Sequence, residues 1–306
     1  MMLWRDKRYN SINYHLKQIF NERVYKISLD GGMTCPNRDG TLDTRGCIFC
    51  SRGGSGDFAV SRTETVTKQL NEAIDRLHLT KPGIRKYIAY FQSFTNTYAP
   101  IDYLEAIFTE AISHPDVVCL SIATRPDCLP DEVIDLLRRL NTIKPVWVEL
   151  GLQTIHPTTA NYIRRGYELP VYDDAVNRLH SAGIEIITHV ILGLPKETLE
   201  DMLATVRHIC NLPVNGIKLQ LLHVLKDTDL ALDIDNFHIL TQEEYTNILI
   251  RCLEIIPDNI VIHRVTGDAP KNLLIQPLWS RNKNNVLNNL NHQMKKLDTW
   301  QGRLVK

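Results

Sequence analysis

Cys35, Cys47 and Cys50 lie within the stretch GGMTCPNRDGTLDTRGCIFCSRGGSG, the last two spaced as C-x-x-C amid glycines and polar residues. Thiolate sulfur is the usual protein ligand of iron–sulfur clusters, and three on one loop suit a cubane whose fourth iron stays open to another molecule. That chemistry is redox chemistry. Other readings of the same residues stand beside it. A zinc ribbon brings two C-x-x-C knuckles, and one is present here. A thioredoxin-type dithiol opens a helix after a strand and leaves Cys35 surplus. A structural four-cysteine cluster needs a fourth ligand that no nearby cysteine offers. Cys119, Cys128, Cys210 and Cys252 sit singly in apolar or helical contexts and read as small buried hydrophobes.

Positioning the trio falls to a chain of ordinary globular composition: 306 residues, 43% hydrophobic and 23% charged, enough for one large domain or two average ones. Thirty-five Lys and Arg balance 35 Asp and Glu, so any affinity for nucleic acid must come from a local patch. Seven cysteines, an odd number, argue against a disulfide framework. The N-terminal MMLWRDKRYNSINYHLKQIF lacks a signal-peptide core, and no run approaches the ~20 apolar residues of a membrane helix. A cytoplasmic protein with no membrane partner is expected.

Predicted strands at 24–30, 86–91, 117–124, 146–153, 185–192 and 216–225 alternate with segments of helical periodicity such as DYLEAIFTEAIS and DEVIDLLRRLN. This rhythm predicts parallel strands with crossover helices, apolar because both faces are covered. Pro130 before Asp131 and Glu132 marks one helix start, and Gly183 ends another just ahead of the strand at 185. Six such units suit an α/β fold of the open, partial (β/α)6 barrel type, and periodicity alone leaves a doubly wound sheet open. Residues 260–268 read as one more strand, after a helix at 241–256.

Five motifs in order carry a resemblance: CPNRDGTLDTRGCIFC with the trio, TRPD at 124–127, ELGLQT at 149–154, RRGYE at 164–168 and ILGLPKET at 191–198. Together they resemble a radical S-adenosylmethionine (SAM) enzyme of the branch related to the catalytic subunit of Elongator. Within it the chain is similar to the shorter bacterial YtqA/YhcC (MnmL-like) group. The eleven residues between Cys35 and Cys47 exceed the commoner C-x3-C-x2-C spacing, and longer first spacings occur in this branch. The resemblance implies a radical SAM barrel at 23–280 including a cluster loop at 31–56, an N-terminal extension at 1–22 and a basic C-terminal tail at 281–306. It also implies a [4Fe–4S] cluster on Cys35, Cys47 and Cys50 and SAM bound through its amino and carboxylate groups on the open iron. Cleavage then yields a 5′-deoxyadenosyl radical, with an electron donor such as flavodoxin or ferredoxin.

The same resemblance assigns residues around the cofactor. Phe49 matches the aromatic beside the adenine. Ser93, Thr95 and Asn96 stand in YFQSFTNTY, where many relatives carry a Gly-Gly-Glu run against the methionine amino group. Gln153 and Arg165 match a glutamine and an arginine around the ribose and carboxylate, a task that suits the guanidinium fork. Glu149 would reach the ribose hydroxyls or serve as a structural ion-pair partner, and His189 takes a strand position where relatives often have an aspartate. Arg125 and Asp127 follow the third strand at the carboxyl end, where such barrels build their sites. Lys218 and His223 alternate on the sixth strand. A lysine inside the barrel without an acidic partner would be costly, so Lys218, with His223, is a substrate-side candidate.

Residues 281–306 carry Arg281, Lys283, Lys295, Lys296, Arg303 and Lys306 against Asp298 alone, with Trp300 among them and Trp279 just before. Basic residues interleaved with aromatics suit a polyanion such as tRNA, and a solvated tail is the plain alternative. No counterpart of the acetyltransferase domain of Elongator's catalytic subunit is expected after about residue 280. The resemblance therefore implies radical processing of the C5 side chain of a tRNA wobble uridine, from carboxymethylaminomethyl toward aminomethyl. Two rivals are a radical enzyme acting on a small molecule such as a porphyrinogen, and a non-enzymatic iron–sulfur or zinc protein.

Overall fold

The computed structural model describes residues 4–54, 56, 59 and 65–305. The elements run α1 Ile12–Phe20, β1 Val24–Leu29, α2 Val66–Thr80, β2 Lys86–Phe91, α3 Ile101–Ser113, β3 Val117–Thr124, α4 Asp131–Asn141 and β4 Val146–Gln153. They continue α5 Pro157–Tyr162, α6 Leu169–Ser181, β5 Glu185–Leu192, α7 Leu199–Cys210, β6 Gly216–Leu221, β7 Val224–Leu225 and α8 Asp229–Leu232. Last come α9 Gln242–Ile255, β8 Val261–Arg264, β9 Leu274–Gln276 and α10 Lys283–Lys296. Seven strands form one parallel sheet in the order β1-β2-β3-β4-β5-β6-β8, curled into a partial barrel.

Side chains of successive residues point to opposite faces of a strand, and the register shows what each face does. Ile27 pairs with Ala89, and Ala89 with Leu120. These belong to a large apolar core that includes helix residues such as Leu104 and Phe108. Phe91 meets Phe108 edge-to-face at 5.1 Å, and each fully buried side chain of this size contributes about 1.5–3 kcal/mol. The opposite face reads apolar low and polar high. Ile88, Cys119, Trp147 and Ile187 cluster with Leu16 of α1, which plugs the amino-terminal mouth. One step further along the same strands stand Tyr90, Ser121, Glu149 and His189.

Helix ends follow local chemistry. Thr198 and Asp201 form a reciprocal cap at α7, as do Thr241 and Glu244 at α9. The expected start at Pro130 and stop at Gly183 are both found, Gly183 having φ +73°. The strand expected over 216–225 breaks instead: Leu222 N–H still bonds Leu192 O at 3.0 Å, after which β7 leaves the barrel and pairs antiparallel with β9. The strand expected over 260–268 stops at Arg264. No helix among the described residues is long and apolar enough to cross a membrane.

The two chain ends, expected as an extension and a tail, are packed into the body and meet. Val286, Leu290 and Met294 of α10 are fully buried, and Thr299 donates to Glu254 at 2.5 Å. Arg8 pairs with Asp298 at 2.8 Å. Gln301, 1% exposed, accepts from Asn10 N–H and donates to the carbonyls of Pro257 and Ile260. A side chain that satisfies three buried main-chain groups is costly to lose. Gln301→Ala is expected to lower the unfolding free energy by about 1–3 kcal/mol, read from urea denaturation; a change below about 0.5 kcal/mol would contradict the bracing role.

Candidate active site

A cavity of about 730 Å3 opens over the carboxyl ends of the strands, and Cys35, Cys47 and Cys50 all line it. Their loop is held by its own main chain: Arg38 N–H bonds Cys35 O at 2.7 Å, and Cys50 N–H bonds Cys47 O at 3.1 Å. Gly46, at φ +78°, brings its N–H to within 2.6 Å of Asn37 O. A Cβ there would lie 2.9 Å from Arg38 Nε, so the wrap needs glycine. Asn37, 1% exposed, donates to Cys47 Sγ at 3.4 Å and to Arg164 O at 2.7 Å. It thereby ties the loop to the RRGYE turn.

These contacts shape the thiols. A hydrogen bond from Cys50, helped by Asn37, Arg125 and Arg38, outweighs burial and pulls Cys47 down to about 6. Burial pushes Cys128, Cys210 and Cys252 up to about 12 and raises Cys119 well above its ordinary value. Thiolate character thus separates one member of the trio from the inert thiols. Among the described residues no three His, Cys, Asp or Glu side chains converge on a single-ion site.

The residues expected around the cofactor divide. Phe49, Thr95, Gln153, Arg165, Glu149, His189, Lys218 and His223 all line the cavity. Gln153 ends β4 at φ +68° with its Oε1 buried and unpartnered. A buried acceptor without a donor calls for a ligand group. Asn96 is a structural bracket instead: fully buried, it donates to Phe91 O and Ala123 O. Ser93 is buried beside Gly56, its hydroxyl unpartnered, and does not line the cavity. Arg165 spends its guanidinium on main-chain carbonyls, Thr154 O at 2.5 Å and Tyr167 O at 2.8 Å. It clamps the RRGYE turn to the end of β4 and is a positioning residue. Arg125 braces the same turn, gripping Asp127 with two nitrogens and donating to Arg165 O at 2.8 Å.

Glu149 takes the second of its two expected roles, the structural ion-pair partner. It is fully buried and its carboxylate is saturated: Lys26 at 2.6 Å and Ser121 at 2.8 Å on Oε1, His189 Nε2 at 2.8 Å and Lys218 on Oε2. It is an ion-pair hub and has no acceptor left for ribose. Lys218 therefore has the acidic partner that the sequence did not reveal. Burial alone would raise the Glu149 carboxyl, but Lys218 and Lys26 hold it well below its ordinary value. Burial and Lys218 push His189 down to about 4, so it is neutral and donates. Burial likewise takes His223 to about 4, beside Ser280 Oγ at 3.1 Å.

Three participants escaped sequence reasoning. Tyr90 presents its ring to Lys26 and Lys218 at 4.3 and 4.8 Å. Asn37 carried no signal beyond its closeness to Cys35. Arg264 was legible only as the inward partner of Lys218 once their register is known.

A partial barrel with a three-cysteine loop over its carboxyl ends defines a class. Residues 44–209 match the radical SAM superfamily and residues 214–296 its C-terminal domain, and the chain belongs to the radical SAM superfamily. Within it the chain is 46% identical over 304 residues to the Bacillus subtilis protein YtqA, covering 98% of this chain and 94% of that one. It is 33% identical over 280 residues to Escherichia coli YhcC, covering 90% and 89%. A shorter match, 30% over 83 residues, covers 27% of this chain and 15% of a tRNA uridine(34) acetyltransferase of Methanocaldococcus jannaschii. The fold is shared with archaeal Methanocaldococcus infernus Elp3, TM-score 0.68 at 18% identity, over 91% of this chain and 64% of that one. These relatives group the chain with YtqA and YhcC, and its fold is that of Elp3.

The family implies a [4Fe–4S] cluster and SAM, and the residues fit both: three thiols on one loop, one of them acidified, and an orphaned Gln153 acceptor on the same cavity. Cys35, Cys47 and Cys50 would hold the cluster, with Phe49 and Gln153 toward the nucleoside and Thr95 toward the methionine end. When bound, the pair supplies hydrogen-atom abstraction at a carbon. The chain's own contribution is to orient the loop through Asn37 and Arg125 and to keep a charged floor beneath it.

Proposed function

We propose that this protein is a radical SAM enzyme that acts on the C5 side chain of a tRNA wobble uridine, carrying carboxymethylaminomethyl toward aminomethyl. The supporting observation is a strip that begins at the cavity and leaves along α10, with basic residues at its two ends and asparagines between. Lys271, Arg281 and Lys283 line the mouth with the three cysteines. The helix continues to exposed Lys295 and Lys296 without an acidic residue. Fourteen helical residues span about 21 Å, a length that tracks several phosphates. The short likeness to tRNA uridine(34) acetyltransferases points to the same substrate class. The electron comes from a donor such as flavodoxin or ferredoxin.

Two experiments test this. Anaerobically reconstituted protein with reductant and SAM is expected to form 5′-deoxyadenosine, and its absence from fully loaded protein would remove the radical reading. Mass spectrometry of tRNA nucleosides from a deletion strain is expected to show accumulated carboxymethylaminomethyl uridine. An unchanged profile with 5′-deoxyadenosine intact would return the small-molecule reading. The strip has its own prediction: Lys295→Ala with Lys296→Ala weakens tRNA binding and flattens the slope of log K against log salt by about 0.9 for each phosphate no longer neutralised. A salt-independent weakening would count against it.

A further inference from the structure

Among the described residues the cavity gathers more basic side chains than carboxylates, from Lys218 at its floor to Lys283 at its mouth. Lys26 and Lys218 share one carboxylate, Glu149. Arg264, at 3.2 Å, and Lys283, at 2.8 Å, share another, Asp268. Among the described residues Glu149 and Asp268 are the carboxylates that line the cavity, and the two clusters set four basic side chains, Lys26, Lys218, Arg264 and Lys283, against these two. Lys218 and Arg264 pair in register on neighbouring strands and both face the cavity. Lys218 is 4% exposed. Lys26, Arg264 and Lys283 keep side chains 26%, 29% and 44% exposed, so an arriving anion gains most beside the buried Lys218, where solvent screens least.

We propose that this floor is an anion subsite that receives a carboxylate of the substrate between Lys218 and Arg264, with Tyr90 and His189 as its polar walls. The subsite lies apart from the cluster end: Glu149 sits four residues before Gln153 on β4, about 13 Å of strand. It deepens the proposed function and rests on it for the identity of the group, the glycine-type carboxylate of a carboxymethylaminomethyl side chain. Cleavage of the N–CH2 bond, which releases the whole carboxymethyl group as a two-carbon oxo acid with water and SAM as co-reactants, leaves an aminomethyl cation that Lys218 and Arg264 repel, so the floor favours substrate over product by charge alone.

The groups facing Lys218 agree with this role. Lys26 on β1, Tyr90 on β2, Ser121 on β3, Glu149 on β4, His189 on β5 and Arg264 on β8 surround it. Burial, with Lys26 and Arg264, outweighs Glu149 and takes Lys218 down to about 7. An incoming carboxylate restores the charged amine, and binding takes up protons at neutral pH.

The test uses the reconstituted holoenzyme and two probes that share an aromatic ring, N-benzylglycine and benzylamine, in calorimetry at pH 7.5. The wild type is expected to bind N-benzylglycine at least about tenfold more tightly, a difference of about 1.4 kcal/mol. Its enthalpy should vary with buffer ionisation as protons are taken up. Lys218→Met removes the preference and the proton uptake, and Lys218→Arg retains the preference. Glu149 keeps Lys26, Ser121 and His189 in the Met variant. Arg264→Met, whose Asp268 keeps Lys283, gives a second reading should Lys218→Met not fold. Equal binding of both probes by the wild type, or a preference that survives both Met variants, overturns the subsite. The parent reading separates cleanly. A Lys218-dependent preference with an unchanged wobble-uridine profile in the deletion strain sinks the tRNA substrate and leaves the subsite. A changed profile without the preference does the reverse.

Discussion

Replacing any one of Cys35, Cys47 and Cys50 by alanine abolishes iron–sulfur loading and 5′-deoxyadenosine formation together. The three thiols share one loop at one end of a 730 Å3 cavity, and a cubane with one iron already open to SAM has no ligand to spare. Iron and sulfide analysis, visible absorbance and product chromatography on the same preparations give the result. The matched comparison is Cys252→Ala, fully buried in the apolar core, which costs about 1 kcal/mol of packing and leaves iron content unchanged. Cys35 is the informative member, because it precedes the segment matched to the superfamily. Full cluster and full cleavage in Cys35→Ala would break the assignment of the trio.

Glu149→Leu is expected to lower the unfolding free energy by about 3–5 kcal/mol, because it leaves Lys26 and Lys218 without their shared carboxylate in a buried setting. Adding Lys218→Met should recover part of that loss, since a buried apolar pair can replace a buried ion pair at little cost. Denaturant unfolding of the single and double variants measures both. A single-variant change below about 1 kcal/mol, or no recovery in the double, would refute the hub. The pH dependence has a definite sign. The folded Glu149 carboxyl lies well below its ordinary value, so its contribution is complete above the unfolded carboxyl's pKa of about 4.3 and is lost as pH falls toward the folded one.

The outer half of the barrel was legible because its signal is local. Strand and helix periods, the cap at Pro130 and the stop at Gly183 each depend on a few adjacent residues. The trio was legible for the same reason. Residues whose role depends on distant partners were not. Asn96 lies in a polar run that suggests cofactor contact, yet its amide bridges Phe91 and Ala123. Arg165 matches a ligand position, yet it is consumed by carbonyls of its own loop. The basic C-terminal segment read as a tail, polyanion-binding or solvated, because its apolar residues, Val286, Leu290 and Met294, are widely spaced among asparagines and lysines. That spacing is the four-residue period of a helix with a buried stripe.

By itself the sequence determined the cysteine ligand set, the parallel α/β alternation and the branch of enzymes that the motifs resemble, all properties of short stretches and their order. Only the tertiary structure decided which inward residues meet. Lys26, Glu149 and Lys218 come from strands 123 and 69 residues apart along the chain, and no local pattern encodes a pairing across such distances. Curling the sheet lets Lys26, from the layer of Ile88, and Lys218, from the layer of His189, converge on the Glu149 carboxylate. There, low dielectric and shared hydrogen bonds turn scattered charges into a single floor beneath the thiols.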